Sequence, residues 1–134
     1  MADLIDMQAR CACGSNKNFT DCCGCYIGGN TPAPSAEALM RSRYVAYTLE
    51  CEDYILATWH PSTRPAPQDA ADKVKTKWLG LEVKRHEYNL QEPDRAVVEF
   101  VARYKIGGRA YRLHEVSRFV REGDLWFYVD GDIR

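Results

Sequence analysis

The chain of 134 residues and 15.3 kDa has room for one compact domain and a small appendage, which excludes two full-sized domains and architectures as large as the (β/α)₈ barrel. A hydrophobic fraction of 46% with 28% charged residues is that of a globular protein with an apolar core and excludes wholesale disorder. The net charge of -1 and pI near 6.3 argue against direct nucleic-acid binding, although a balanced total still leaves room for a local basic patch.

At the N-terminus Asp3 and Asp6 stand where a secretory signal needs a basic start and an unbroken apolar run. No apolar stretch approaches the roughly 18 to 20 residues of a membrane helix, so the expected location is the cytoplasm, with no membrane partner. In that reducing compartment the six cysteines point to metal or thiol chemistry rather than disulfides. Cys11, Cys13, Cys22, Cys23 and Cys25 cluster within one short stretch, and only Cys51 stands apart. The same stretch holds Gly14, Ser15, Asn16, Asn18 and Gly24, which are turn formers, and few residues able to build a core. Residues 1–30 are therefore expected to form a small module that needs another staple. Thr31-Pro32-Ala33-Pro34 then reads as a stiff extended connector into a domain over 31–134.

Ser35 suits an N-cap, and Met40, Tyr44 and Tyr47 recur at helical spacing, which predicts an amphipathic helix over about 36–49. A shorter helix follows, with Glu52 and Asp53 at its start, Ile55, Leu56 and Trp59 on its apolar face, and Pro61 closing it after His60. Residues 61–68 hold three prolines and read as a loop, and 69–77 as a short polar helix. From Trp78 the period becomes two. Leu79, Leu81 and Val83 alternate with Glu82, Lys84 and His86, whose imidazole is expected to face solvent. Further strands are expected over 96–104, 109–121 and 125–130, joined by turns at Gly107-Gly108 and Gly123-Asp124. The sum is an α+β arrangement, helices followed by a four-stranded antiparallel meander.

Cys11-x-Cys13 and Cys22-Cys23 form two close thiolate pairs separated by a loop long enough to fold back, and four sulfurs suit tetrahedral zinc. Arg10 and Lys17 are placed to offset the charge of such a centre. Spacing alone leaves the ligand set open, because Cys22-x-x-Cys25 is also a chelating pair. Local disulfides fit neither the compartment nor the one-apart geometry, and the spacings lack the usual iron-sulfur runs.

The run Cys11-Ala12-Cys13-Gly14-Ser15-Asn16-Lys17-Asn18-Phe19-Thr20-Asp21-Cys22-Cys23-Gly24 resembles the SEC-C motif, the zinc-binding element also found in the SecA translocation ATPase. By that resemblance the ligands are Cys11, Cys13, Cys22 and Cys23, the cofactor is structural Zn²⁺, and Cys25 is an additional thiol. The chain departs from the motif at Asn16, where the family usually has Gly. Farther along, Ala36-Glu37-Ala38-Leu39-Met40, Ala57-Thr58-Trp59-His60-Pro61, Trp78-Leu79-Gly80-Leu81 and Leu113-His114-Glu115 are similar to the bacterial YchJ family. The resemblance implies a nuclear transport factor 2-like cone after the zinc module, with helices packed on a curved sheet whose concave face often forms a pocket.

With both turns two residues long, Val98, Phe100, Ala102 and Tyr104 share a sheet face with Leu113, Glu115, Ser117, Phe119, Trp126, Tyr128 and Asp130. Trp59, His60, Phe100, Glu115, Trp126 and Tyr128 are the candidate pocket residues, with Glu115 as an acid or base alongside Asp130 or His60. His114 points to the other face. Two functional expectations follow. The first is a non-enzymatic zinc protein that contacts a protein or ribonucleoprotein partner. The alternative is a small-molecule binder, or a hydrolase or isomerase-type enzyme, using the concave pocket.

Overall fold

The computed structural model describes residues 10–29, 31–67 and 75–134. A 3-10 turn at Phe19–Asp21 and α1 (Cys23–Ile27) shape the cysteine module. Then come α2 (Ala36–Thr48), α3 (Glu52–Ala57) and four strands, β1 (Lys77–Asn89), β2 (Glu92–Ile106), β3 (Arg109–Glu122) and β4 (Leu125–Ile133). The strands form one antiparallel sheet in the order β1-β2-β3-β4, so the helices-then-meander expectation holds. The polar helix expected over 69–77 falls outside the described residues through 74, and Lys77 belongs to β1 instead. Among the described residues no helix is long and apolar enough to cross a membrane.

Ser35 caps α2, its extended backbone letting the hydroxyl accept from the Ala38 amide at 3.1 Å. The stripe expected on α2 is both wider and shifted. Leu39, Met40, Ser42, Arg43, Tyr44, Val45 and Ala46 are all buried, whereas Tyr47 is 40% exposed. The helix is enclosed by the sheet, by α1 and by α3, so one amphipathic face cannot describe it.

Both hairpins are tight, with positive φ at Gly107 and Gly108 and at Gly123 and Asp124, as two-residue primed turns require. The β2–β3 register is the expected one. Val98 lies opposite Ser117, Phe100 opposite Glu115, and Ala102 opposite Leu113. This face carries the core, with Val98, Phe100, Ala102, Ser117, Phe119 and Trp126 buried.

Three irregularities overturn expectations about the flanking strands, because each extra residue reverses the alternation beyond it. A shift between Trp78 and Gly80 sets Trp78 opposite Tyr104 on the core face and leaves Leu79 46% exposed. A shift between Val83 and Arg85 turns His86 inward, opposite Val98, with Nδ1 3.6 Å from Glu37 Oε1 on α2. In β4, Phe119 pairs with Tyr128 but Arg118 with Asp130, so Asp130 lies on the outer face and not beside Glu115.

On the outer face Glu99 Oε2 lies 2.7 Å from His114 Nε2, and Glu99 Oε1 accepts from Arg85 Nε at 3.1 Å. His114 first, then Arg85, holds the Glu99 carboxyl below the ordinary carboxylate range. A depressed carboxylate contributes stability above its unfolded pKa of about 4.3 and loses it as pH falls through the lower folded value. Glu99→Gln is therefore expected to destabilise most at neutral pH, with the difference in urea midpoint shrinking below about pH 4. A difference that stays constant with pH would contradict this linkage.

Candidate metal centre

The cysteine module folds through backbone bonds rather than a core of its own. Arg10 and Asn18 bridge as antiparallel neighbours, Cys11 N donates to Lys17 O at 2.7 Å, and Gly14 N donates to Cys11 O at 3.2 Å. Gly14 and Asn16 both take positive φ, so the Asn at the motif's usual Gly position adopts the left-handed conformation it tolerates well. This knuckle presents Cys11 and Cys13. The 3-10 turn and the first turn of α1 present Cys22 and Cys23. They meet closely because Phe19 rests on Gly24, where a Cβ would come within 2.7 Å of Phe19 O and 3.0 Å of its ring.

The sulfurs of Cys11, Cys13, Cys22 and Cys23 all lie within 4.8 Å of one another. Cys13 Sγ is 3.6 Å from Cys22 Sγ, which is 3.9 Å from Cys23 Sγ. These separations exceed the roughly 2.05 Å of a disulfide. They match a tetrahedron of thiolates about 2.3 Å from a central ion, whose edge is about 3.8 Å. The four residues could hold a metal ion. Cys25 is turned aside, its thiol donating to Thr20 O at 3.1 Å, and Cys51 lies at the start of α3 away from the cluster. Cys25→Ser is accordingly expected to leave metal stoichiometry unchanged, checked by elemental analysis. Loss of the metal would move Cys25 into the ligand set.

Three of the four cysteines are buried, and Cys22 is half-buried with Ser15 Oγ 3.1 Å from its sulfur. The thiols of Cys11 and Cys23 hold Cys13 far below the usual thiol range, while Cys11 and Cys13 together with burial push Cys23 up. Thiols crowded in this way are an arrangement that a cation binding deprotonated sulfur would relieve. The neighbouring cation is Arg41 of α2, which donates to Cys13 O at 2.7 Å and to Glu37 Oε2 at 3.0 Å. Sequence reasoning assigned that place to Arg10 and Lys17. Arg10 instead donates to Asn16 O, and Lys17 is exposed. The centre also joins the main core, since Cys11, Cys13 and Cys23 share one buried cluster with Leu39, Met40, Tyr44 and Val98.

A family model described as YchJ, middle NTF2-like domain, matches residues 35–131, from the α2 cap into β4. The chain belongs to the YchJ family. Among its relatives, the UPF0225 protein of Chromobacterium violaceum is 56% identical over 126 residues, covering 92% of this chain and 93% of that one. The UPF0225 protein of Polaromonas naphthalenivorans is 59% identical over 114 residues, covering 85% and 81%. The solution structure of a SEC-C motif containing protein from Rhodopseudomonas palustris matches with a TM-score of 0.81 at 36% identity, covering 92% of this chain and 98% of that one. A crystal structure of a SEC-C motif containing protein from Psychrobacter arcticus gives 0.78 at 28% identity, covering 98% and 86%. The SEC-C and YchJ resemblance and the NTF2-like α+β fold are thereby borne out, with the cysteines N-terminal to the matched segment.

The six pocket candidates of this YchJ-family chain do not converge on one space. Glu115, Tyr128 and Trp59 gather around Arg43 of α2. The guanidinium, with Arg43 only 4% exposed, lies 5.2 Å from the Trp59 ring centre and 4.7 Å from that of Tyr128. It donates to Ile55 O and Thr58 Oγ1, each at 2.8 Å, and burial lowers its pKa. Glu115 Oε2 accepts from Ser117 Oγ at 2.6 Å and from the Tyr128 hydroxyl at 3.1 Å. Burial and the neighbouring Glu115 raise the Tyr128 pKa. Phe100 and Trp126 are core residues. His60 is directed elsewhere, with Nε2 3.0 Å from Glu122 Oε2 and Nδ1 2.7 Å from Ser62 Oγ. Two surface clefts, of 640 and 1010 Å³, are lined by none of the six.

Proposed function

We propose that this protein binds one structural zinc ion through Cys11, Cys13, Cys22 and Cys23, and that the stapled module is a non-enzymatic docking element for a protein or ribonucleoprotein partner in the cytoplasm. The observation that carries the reading is the grouping of four sulfurs at tetrahedral separations. Thiolates favour zinc over harder cations. When bound, the ion cross-links the knuckle to the start of α1, and four protein sulfurs leave no position for water or substrate, as in a structural rather than a catalytic site. Among the described residues of the module, Arg10, Ala12, Gly14, Asn16, Lys17, Asp21, Gly28 and Gly29 are exposed, a surface of mixed charge. The concave-pocket alternative has weaker support, because Arg43 fills the space between Trp59 and Tyr128. Affinity capture from cell lysate tests the docking role. Partners recovered with the zinc-loaded protein should be lost after chelation, and an unchanged set of partners would count against the module as the contact surface.

A further inference from the structure

The 640 Å³ cleft lies at the other end of α2's sequence from the Ser35 cap, between Thr48, the start of β1 and the β2–β3 turn. Lys75, Lys77 and Lys105 line it together with Trp78, and among the described residues no acidic side chain does. Lys77 and Lys105 are direct cross-strand partners, a like-charge juxtaposition that disfavours the sheet unless something offsets it. Several cations elsewhere are held by carboxylates, Arg41 by Glu37, Arg85 by Glu99, Arg118 by Asp130 and Arg121 by Asp94. The carbonyl end of α2 supplies only about half a negative charge, so three ammonium groups leave the cleft positive. Above Gly107 and Gly108 the space is open, with nothing within 4 Å of where a Cβ would stand. Trp78 provides a fixed flat wall, half-buried and wedged among Tyr44, Tyr47 and Tyr104 with ring centres 5.3 to 5.9 Å away.

From this combination of lysines clustered without an acid among the described residues, an open glycine turn and a rigid indole wall, we propose that the cleft binds a nucleoside phosphate, with the lysines holding the phosphate and Trp78 the base. The volume lies in the range of small-ligand sites. Cations alone would take any phosphate, whereas contact with an aromatic wall adds about ten-fold in affinity for a base. The source is either a free nucleotide or one unit of a single strand. The site is separate from the cysteine cluster and does not depend on the zinc reading.

Amide NMR titration of the zinc-loaded chain with inorganic phosphate, AMP and hexaadenylate tests the proposal. AMP should shift the Lys105, Gly107 and Gly108 amides and the Trp78 indole signal, and bind about ten-fold or more tighter than phosphate. Lys77→Gln/Lys105→Gln, which alters only exposed side chains and relieves their mutual repulsion, should weaken AMP by about ten-fold or more without lowering the melting temperature. Hexaadenylate binding far tighter than AMP identifies a single strand as the source, and equal affinity identifies the nucleotide. The proposal is overturned by no shift at these residues with millimolar AMP. It is equally overturned by phosphate binding as tightly as AMP, or by undiminished AMP binding in the double lysine variant.

Discussion

Cys22→Ser/Cys23→Ser is expected to abolish metal binding and to unfold the cysteine module. Structural zinc contributes on the order of 10 kcal/mol or more to small modules of this kind, comparable with the whole stability of a domain, about 5–15 kcal/mol. The loss should not stay local. Cys11, Cys13 and Cys23 share a buried cluster with Leu39, Met40 and Tyr44, and Gly14 packs 3.4 Å, measured from a hypothetical Cβ, from Leu81 O on β1. Opening the module would therefore expose apolar surface of α2. Metal analysis should fall from about one equivalent to none, and thermal unfolding should begin at markedly lower temperature. A double variant that keeps its full metal content would defeat the ligand assignment.

The second large effect is expected at Arg43. Arg43→Met keeps the apolar stem and removes the charge, leaving Ile55 O with only the longer 3.2 Å bond from Thr58 Oγ1 and Glu115 without the buried cation nearby. Losing two hydrogen bonds from a charged donor and leaving the Glu115 carboxylate without its nearby cation should cost about 2–4 kcal/mol, read from urea midpoints. Arg43→Lys should recover little, because an ammonium cannot both stack between Trp59 and Tyr128 and reach Thr58 in one plane. A neutral Arg43→Met would mean that the buried guanidinium contributes only volume. The site is tightly fitted from the other side as well. A Cβ at Gly131 would come within 2.7 Å of the Glu115 carboxyl carbon, so any larger residue there would have to displace the carboxylate from Ser117 and Tyr128.

Much of this was legible in local chemistry. Ser35 marked the start of α2, and Gly107-Gly108 and Gly123-Asp124 fixed the two turns and hence the β2–β3 register. The spacing of Cys11, Cys13, Cys22 and Cys23 singled out the residues that the fold brings together. The failures share a cause in non-local geometry. The irregularities near Leu79, Lys84 and Val129 each insert one residue, and alternation by itself carries no mark of that. Only Gly80, an isolated glycine in a strand, offered a signal. Helical spacing alone does not mark Arg43 or Arg41 as enclosed. Their burial depends on Trp59, Tyr128 and the Cys13 carbonyl, which only the tertiary fold brings against α2.

The central claim is a closed four-sulfur zinc centre, and X-ray absorption at the zinc edge on protein purified from cells tests it most directly. The account predicts about one zinc per chain, surrounded by four sulfurs at about 2.3 Å. Absence of zinc, or a shell containing oxygen or nitrogen in place of a sulfur, would contradict it.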